Sequence, residues 1–264
     1  MEEPDGVILT QADGVLTITL NEPEGRNALT PGIEHGLIRG IAAATSADVR
    51  CVVLTGSGGA FCAGGDMREM GQIEQKANIP ALRARTRALP DRILRPLSEL
   101  EKPVVAALNG WVVGAGVGIA LAADFRIASS RCKFLIAFER VGLIPDLGTA
   151  WALPRLVGYR AARDLMYRRD PVGAERALEL GLVDELVEPE ALMTRTAEFA
   201  ADLAERPTLA MGLAKRLLQE SFSLDLDTFL RREVAAQGVA LGSEDYQEGR
   251  VAFREKRSPK FNGQ

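Results

Sequence analysis

Short apolar runs alternate with amphipathic stretches over roughly the first 190 residues of the chain, and amphipathic stretches alone fill the remainder. Val7-Ile8-Leu9-Thr10 and Val15-Leu16-Thr17-Ile18-Thr19-Leu20 predict a hairpin turning at Asp13-Gly14. Thr30-Pro31 supplies a cap and a first-turn proline for a helix running to about Ala44. Cys51–Thr55, Pro103–Leu108 and Phe125–Ala128 are apolar runs of strand length, and Leu182–Val187 predicts another short strand. A helix is expected from near Gly65 through Met67 and Met70, and residues 77–100 read as helix interrupted at Pro80, Pro90 and Pro96. Further helices are expected at about 147–156, 159–168 and 173–180, then at 190–205, 208–220, 225–240 and 244–256. This order predicts an α/β fold, with a core over 1–190 and a helical segment over 191–264.

Two passages combine an apolar run, a turn of small residues and a helix start. They are Val52 to Asp66, with Ala63-Gly64-Gly65, and Asn109 to Asp124, with Gly114-Ala115-Gly116. A helix start offers backbone N–H groups that lack intrahelical acceptors, together with the positive end of the helix dipole. Two such turns converging on one oxygen would form an oxyanion hole. Neither turn fits a dinucleotide fingerprint or a phosphate-binding P-loop, which disfavours nicotinamide and nucleotide-triphosphate chemistry.

Composition narrows the classes further. A chain of 264 residues with net charge −4 and pI 5.3 carries no nucleic-acid footprint. No apolar run reaches the ~20 residues of a membrane span, and the acidic Met1–Asp5 lacks the features of a signal peptide, so a cytoplasmic protein is expected. Cys51, Cys62 and Cys132 have neither disulfide nor zinc spacing. Cys62 lies beside the first turn, but the sole histidine, His35, sits on a predicted helix, which disfavours a thiol nucleophile and a histidine-based metal site. Arg83, Arg85, Arg87, Arg92 and Arg95 do not share one helical face and read as a solvated surface.

Several motifs in order carry a family resemblance. They include Asn27-Ala28-Leu29, Ala60 to Asp66, Lys102 to Gly110, Gly114-Ala115-Gly116, Ala123 to Ala128, Gly142 to Asp146, Gly181-Leu182-Val183 and Phe253 to Arg257. On these the chain resembles the crotonase superfamily, also called the enoyl-CoA hydratase/isomerase family, from about Val15 to Phe261. The resemblance implies a ClpP-like spiral of ββα units, with a C-terminal helical segment used in a homotrimer or dimer of trimers. It also implies an acyl-CoA substrate, with coenzyme A entering as part of that substrate and no separate cofactor. The thioester carbonyl would be held by the N–H groups of Ala63 and Ala115. The adenine would lie along Arg26-Asn27-Ala28 and Ala63-Gly64-Gly65-Asp66, and Lys256 would reach the CoA 3′-phosphate of a neighbouring subunit.

The chain departs from the hydratase pattern of two glutamates. The first position is Gly118, and the second falls on Phe138, with Glu139 one residue away. Asp146 remains, at the loop position that carries the chemistry in members resembling ring-1,2-epoxyphenylacetyl-CoA isomerase. The expected reaction is therefore a proton shift by one carboxylate, Asp146, through an enolate held at the N–H pair. Hydration through Glu139 or Asp146, another crotonase chemistry such as dehalogenation, thioester hydrolysis or decarboxylation, and non-catalytic acyl-CoA binding are the alternatives. Capping of the helix expected near Leu147 is a second job open to Asp146, less favoured than catalysis and compatible with it. Burial among Phe138, Ile144, Leu147 and Trp151 would raise its pKa.

Overall fold

A computed structural model of the chain describes residues 6–68, 79–168 and 170–264. Strands β1 (Val7–Ala12) and β2 (Val15–Leu20) pair antiparallel across Asp13 and Gly14, both at positive φ (49° and 74°), the geometry a two-residue hairpin turn needs. Helix α1 (Pro31–Ala43) opens on Thr30, whose hydroxyl accepts from the Ile33 N–H at 3.2 Å. Such a cap contributes about 1 kcal/mol. Strands β3 (Cys51–Gly56) and β4 (Ala60–Cys62) follow. Helix α2 (Ile79–Leu89) continues through a π-helical turn, Pro90–Leu94, into Arg95–Ser98, so Pro90 and Pro96 fall at joints of a helical path rather than ending it.

Next come β5 (Val104–Leu108), β6 (Trp111–Val113), α3 (Ala115–Ala122), β7 (Phe125–Ser129) and β8 (Lys133–Leu135). Helix α4 (Thr149–Tyr167) breaks at Gly158 (φ 77°, ψ 156°), which accounts for the two helical stretches expected there. The chain ends through β9 (Val172–Gly173), α5 (Ala174–Glu179), β10 (Glu185–Val187), α6 (Leu192–Ala204), α7 (Thr208–Glu220), α8 (Leu226–Leu241) and α9 (Glu244–Glu255).

Among the described residues the strands form two sheets, β1-β2-β3-β5-β7-β10 and β4-β6-β8-β9. Repeated strand–strand–helix passages feed both, which is the expected spiral. The larger sheet is covered on both faces, so its central strands are apolar without alternation. Val52, Leu54, Val104 and Ala106 face the main core with Ile33 and Leu37 of α1. Cys51, Val53, Val105 and Ala107 face a second core closed by Leu192, Ala200 and Leu203 of α6. Phe199 of α6 meets Phe125 edge-on at 5.0 Å. Helix α6 thus packs as part of the sheet structure, and position 190 is not a packing boundary. By contrast, α8 has no buried residue.

Two markers of the resemblance are clamps. Asp124 accepts from the Val104 N–H (2.8 Å) and from Lys215 Nζ (2.9 Å), tying α7 to the sheet. Arg126, 4% exposed, donates to the carbonyls of Ala123 (2.7 Å) and Leu182 (2.9 Å).

Candidate functional site

The first turn is built from the left-handed pair Arg26 (φ 54°) and Asn27 (φ 55°). Asn27 is fully buried; its Oδ1 accepts from the Glu22 N–H (2.9 Å), and its Nδ2 donates to the carbonyls of Ser57 (3.0 Å) and Ala60 (2.8 Å). One amide therefore fixes the loop before α1 against the turn that enters β4. The next two bonds extend this pairing, because Ala63 N–H donates to the Arg26 carbonyl at 3.0 Å and Leu29 N–H to the Gly64 carbonyl at 2.7 Å. Arg26, Ala28 and Ala63 to Asp66 thus come together as expected, with Arg26 exposed and Ala28 buried.

This arrangement corrects one expected role. The Ala63 N–H is already satisfied by Arg26, so it is not a free oxyanion donor. Two residues on, Gly65 is exposed and its N–H has no acceptor among the described residues. The N–H left without an acceptor on this turn is that of Gly65, not that of Ala63. Asp66 accepts from the Arg68 N–H at 2.9 Å, capping the helical turn that begins at Met67. The expected continuation through Met70 lies outside the described residues.

The second turn leaves β6 at Gly114 (φ 52°, ψ −123°), whose N–H is held by the Leu135 carbonyl at 3.0 Å. Ala115 is the first residue of α3, and its N–H has no acceptor among the described residues. The two turns are in contact. A Cβ placed on Gly64 (φ 83°) would lie 2.8 Å from the Val113 carbonyl oxygen and 3.1 Å from the Ala115 nitrogen. One placed on Gly116 would lie 2.6 Å from the Cys62 carbonyl oxygen. Only glycine allows this approach, which brings the Gly65 and Ala115 peptides onto one small region. Cys62, fully buried between the turns, has its thiol pKa pushed up to about 12 by burial. That is the opposite of what a nucleophile needs. His35 lies exposed on α1.

The third component is the segment between β8 and α4. Phe138, buried, lies against Gly114, with its Cζ 3.9 Å from a Cβ placed there, and opens a short 3-10 turn, Phe138–Val141, that carries the half-buried Glu139. The chain then runs to Asp146, Leu147 (φ 41°) and Gly148 (φ 70°) before α4 begins. Gly148, not Asp146, is the cap residue of α4; Asp146 contributes its carbonyl, which accepts from the Thr149 N–H at 2.9 Å. Its carboxylate is left available for other work. The residue keeps access to solvent, yet the protein packed around its carboxyl pushes the pKa up to about 6. Phe138 and Leu147 are buried as expected, whereas Ile144 (82% exposed) and Trp151 (55% exposed) are not.

Gly118 faces this segment directly. A Cβ there would overlap the Leu147 carbonyl oxygen and come within 2.9 Å of Leu147 Cβ. Gly118 lies three residues beyond Ala115 on α3, about 4.5 Å of helix rise, and Asp146 is one residue, about 3.8 Å between Cα atoms, from Leu147. The space beside Gly118 is filled by the backbone that carries Asp146. Lys256, the left-handed residue (φ 54°) that ends α9, is exposed, and among the described residues it makes no hydrogen bond with the Arg26–Asp66 region. Arg83, Arg87, Arg92 and Arg95 are exposed, with Arg87 and Arg95 both near Asp91 (3.9 and 3.6 Å). Sequence reasoning missed the free N–H of Gly65, the bonding of Asn27 and the contact between Gly118 and Leu147. Its signals for the last two were a motif residue without an assigned role and a glycine read only as a missing acid.

The family described as enoyl-CoA hydratase/isomerase matches residues 10–264. A 1,2-epoxyphenylacetyl-CoA isomerase from Escherichia coli (strain K12) is 38% identical over 95% of this chain and 95% of its own. A short-chain-enoyl-CoA hydratase from Clostridium acetobutylicum is 36% identical, covering 97% of each chain. Among solved structures, a putative enoyl-CoA hydratase from Streptomyces coelicolor A3(2) superposes with a TM-score of 0.92 at 36% identity, over 100% of this chain and 96% of its own.

Proposed function

The chain belongs to the enoyl-CoA hydratase/isomerase family, and from that premise we propose that it is an isomerase that moves a proton, and with it a double bond, within an enoyl-CoA thioester. The observation that carries this reading is the Leu147 backbone, next to Asp146 in the chain, seated in the space beside Gly118, where it leaves no room for a glutamate. The thioester oxygen lies between the N–H groups of Gly65 and Ala115. As the α-carbon loses its proton, negative charge builds on that oxygen, and two fixed donors, one on the turn after β4 and one at the start of α3, stabilise it more than they stabilise the neutral carbonyl. Asp146 takes the proton as carboxylate and returns it at another carbon as carboxylic acid. A pKa near 6 suits both halves of that exchange.

Coenzyme A is part of the substrate in this reading, and no metal or separate cofactor takes part. Arg26, Ala28 and Gly64 to Asp66 hold its adenine end, and Lys256 acts from a neighbouring chain. Assembly into trimers, singly or as a pair, covers the face of α8 that exposes Leu226, Leu230, Val234 and Leu241. We place the enzyme in the cytoplasm.

Hydration is the second reading. It is supported by relatives named hydratases at similar identity and by Glu139, half-buried next to the Phe138 that packs on Gly114. One experiment separates the two readings. The protein is incubated with 2-enoyl- and 3-enoyl-CoA thioesters and the products are weighed. Isomerisation leaves the mass unchanged, whereas water addition raises it by about 18 mass units and would make hydration the activity. Asp146→Asn should lower turnover by at least ~10²-fold, the lower end of general acid–base contributions, with acyl-CoA affinity held within a few-fold. An active Asp146→Asn beside an inactive Glu139→Gln would transfer the acid to Glu139.

A further inference from the structure

We infer that Gly118 is a positioning residue for the proton transfer, because its missing side chain seats the Leu147 backbone on α3 and so fixes where Asp146 stands beneath the oxyanion turns. This rests on the Asp146 reading above and adds to it a residue that touches no substrate.

The segment is pinned from two sides. On one, the space a Cβ of Gly118 would fill holds the Leu147 carbonyl oxygen, with Leu147 C at 3.0 Å and Cβ at 2.9 Å from that point. On the other, a Cβ placed on Gly148 would lie 2.8 Å from Leu94 Cδ2, in the π-helical turn of α2. Between these contacts Leu147 keeps a left-handed backbone (φ 41°) with its side chain 3% exposed. A leucine holds that conformation only where its surroundings over-determine it, and here the close seat on α3 is part of what does so. The same helix supplies the Ala115 N–H one turn earlier, so donor and acid are referenced to one rigid element. An acid at position 118 and an acid carried on this loop exclude each other sterically. Any side chain at 118 displaces the Leu147 peptide.

Gly118→Ala tests this with the smallest possible intrusion. The variant should stay folded by circular dichroism and lose about 10²-fold in kcat, the scale of a misplacement near 1 Å, with KM within about threefold. Its acid limb in the pH–rate profile should fall below that of the wild type as the displaced carboxyl gains water, a change that a merely structural defect would not produce. Gly173→Ala, where an added Cβ meets nothing within 4 Å, serves as the control and should match the wild type. Should Gly118→Ala fail to fold, Leu147→Gly releases the same segment without touching α3, and the same drop in kcat and shift of the limb are expected. A folded Gly118→Ala, or a Leu147→Gly, with wild-type kcat and an unmoved limb overturns the inference. Asp146→Asn keeps the two proposals apart. If it is active, the acid has been misassigned whatever Gly118 does. If it is inactive while Gly118→Ala is not, only the positioning role fails.

Discussion

Ala115→Pro removes one oxyanion donor while leaving the fold close to intact, a separation that side-chain mutagenesis rarely achieves at a backbone N–H. Ala115 is the first residue of α3, so its N–H has no intrahelical acceptor to lose. Proline is favoured at that position because its fixed φ suits the first turn. Gly114, at φ 52° and ψ −123°, occupies the mirror image of the extended region that residues before proline prefer, which a residue without Cβ adopts freely. Folding stability should therefore change by no more than about 1 kcal/mol. Catalysis should not survive so well. Loss of one donor costs about 2.7–4 kcal/mol of transition-state stabilisation, or ~10²–10³-fold in kcat. Proline also puts a methylene where the proton pointed, so the oxygen is pushed away from the Gly65 N–H as well and the lower figure is a floor. Ala115→Gly keeps the N–H and should retain kcat within a few-fold. The assay is the initial rate on the thioester identified by product mass, beside the absorption of a bound aromatic 2-enoyl-CoA, whose band moves to longer wavelength when its carbonyl is polarised. A folded Ala115→Pro with kcat within threefold of the wild type, or with an undiminished red shift, would refute the assignment of this turn.

Three further outcomes are expected. Because Asp146 must be ionised to accept a proton, kcat/KM should fall as pH drops through about 6, and a profile flat down to pH 4.5 would remove Asp146 from the chemistry. A folded-state pKa raised above the free value means that the native state holds the proton more tightly, so stability is lost as pH rises through the window from about 4 to about 6; Asp146→Asn should thus raise Tm more at pH 8 than at pH 4, and the reverse order would contradict the shift. Asn27→Ala deletes three hydrogen bonds and leaves the half-buried Ser57 carbonyl and Glu22 N–H without this partner, while the Ala60 carbonyl keeps Asn109 Nδ2 at 3.2 Å, which should cost about 2–4 kcal/mol in urea unfolding, and a loss below about 1 kcal/mol would show that water replaces the amide. Light scattering should give the mass of three or six chains, with Val234→Glu on the exposed face of α8 shifting the protein to smaller species, whereas a monomeric wild type at micromolar concentration would sink the proposed assembly.

What the sequence disclosed and what it hid divide along a physical line. The hairpin at Asp13-Gly14, the cap at Thr30 and the buried strands Cys51–Gly56 and Val104–Leu108 are written in local rules of turn chemistry and burial, and they form close to where those rules place them. Strands β4, β6 and β8 have three residues each, and so short a run has no detectable period that would set it apart from the turns around it. The site was legible in its parts, as two glycine turns and one acid, but not in its assignments. Whether a peptide N–H is free depends on which carbonyl the fold brings opposite it, and no property of Ala63 announces that the carbonyl of Arg26, 37 positions away in the chain, will accept its hydrogen bond. Gly118 makes the same point in reverse. In the sequence it marks only where a carboxylate is missing, whereas in the fold the space a side chain would have filled holds the Leu147 peptide. In the proposed chemistry Gly118 and Asp146 therefore work as one unit: the helix presents no side chain at 118, and the loop that fills the space carries the acid.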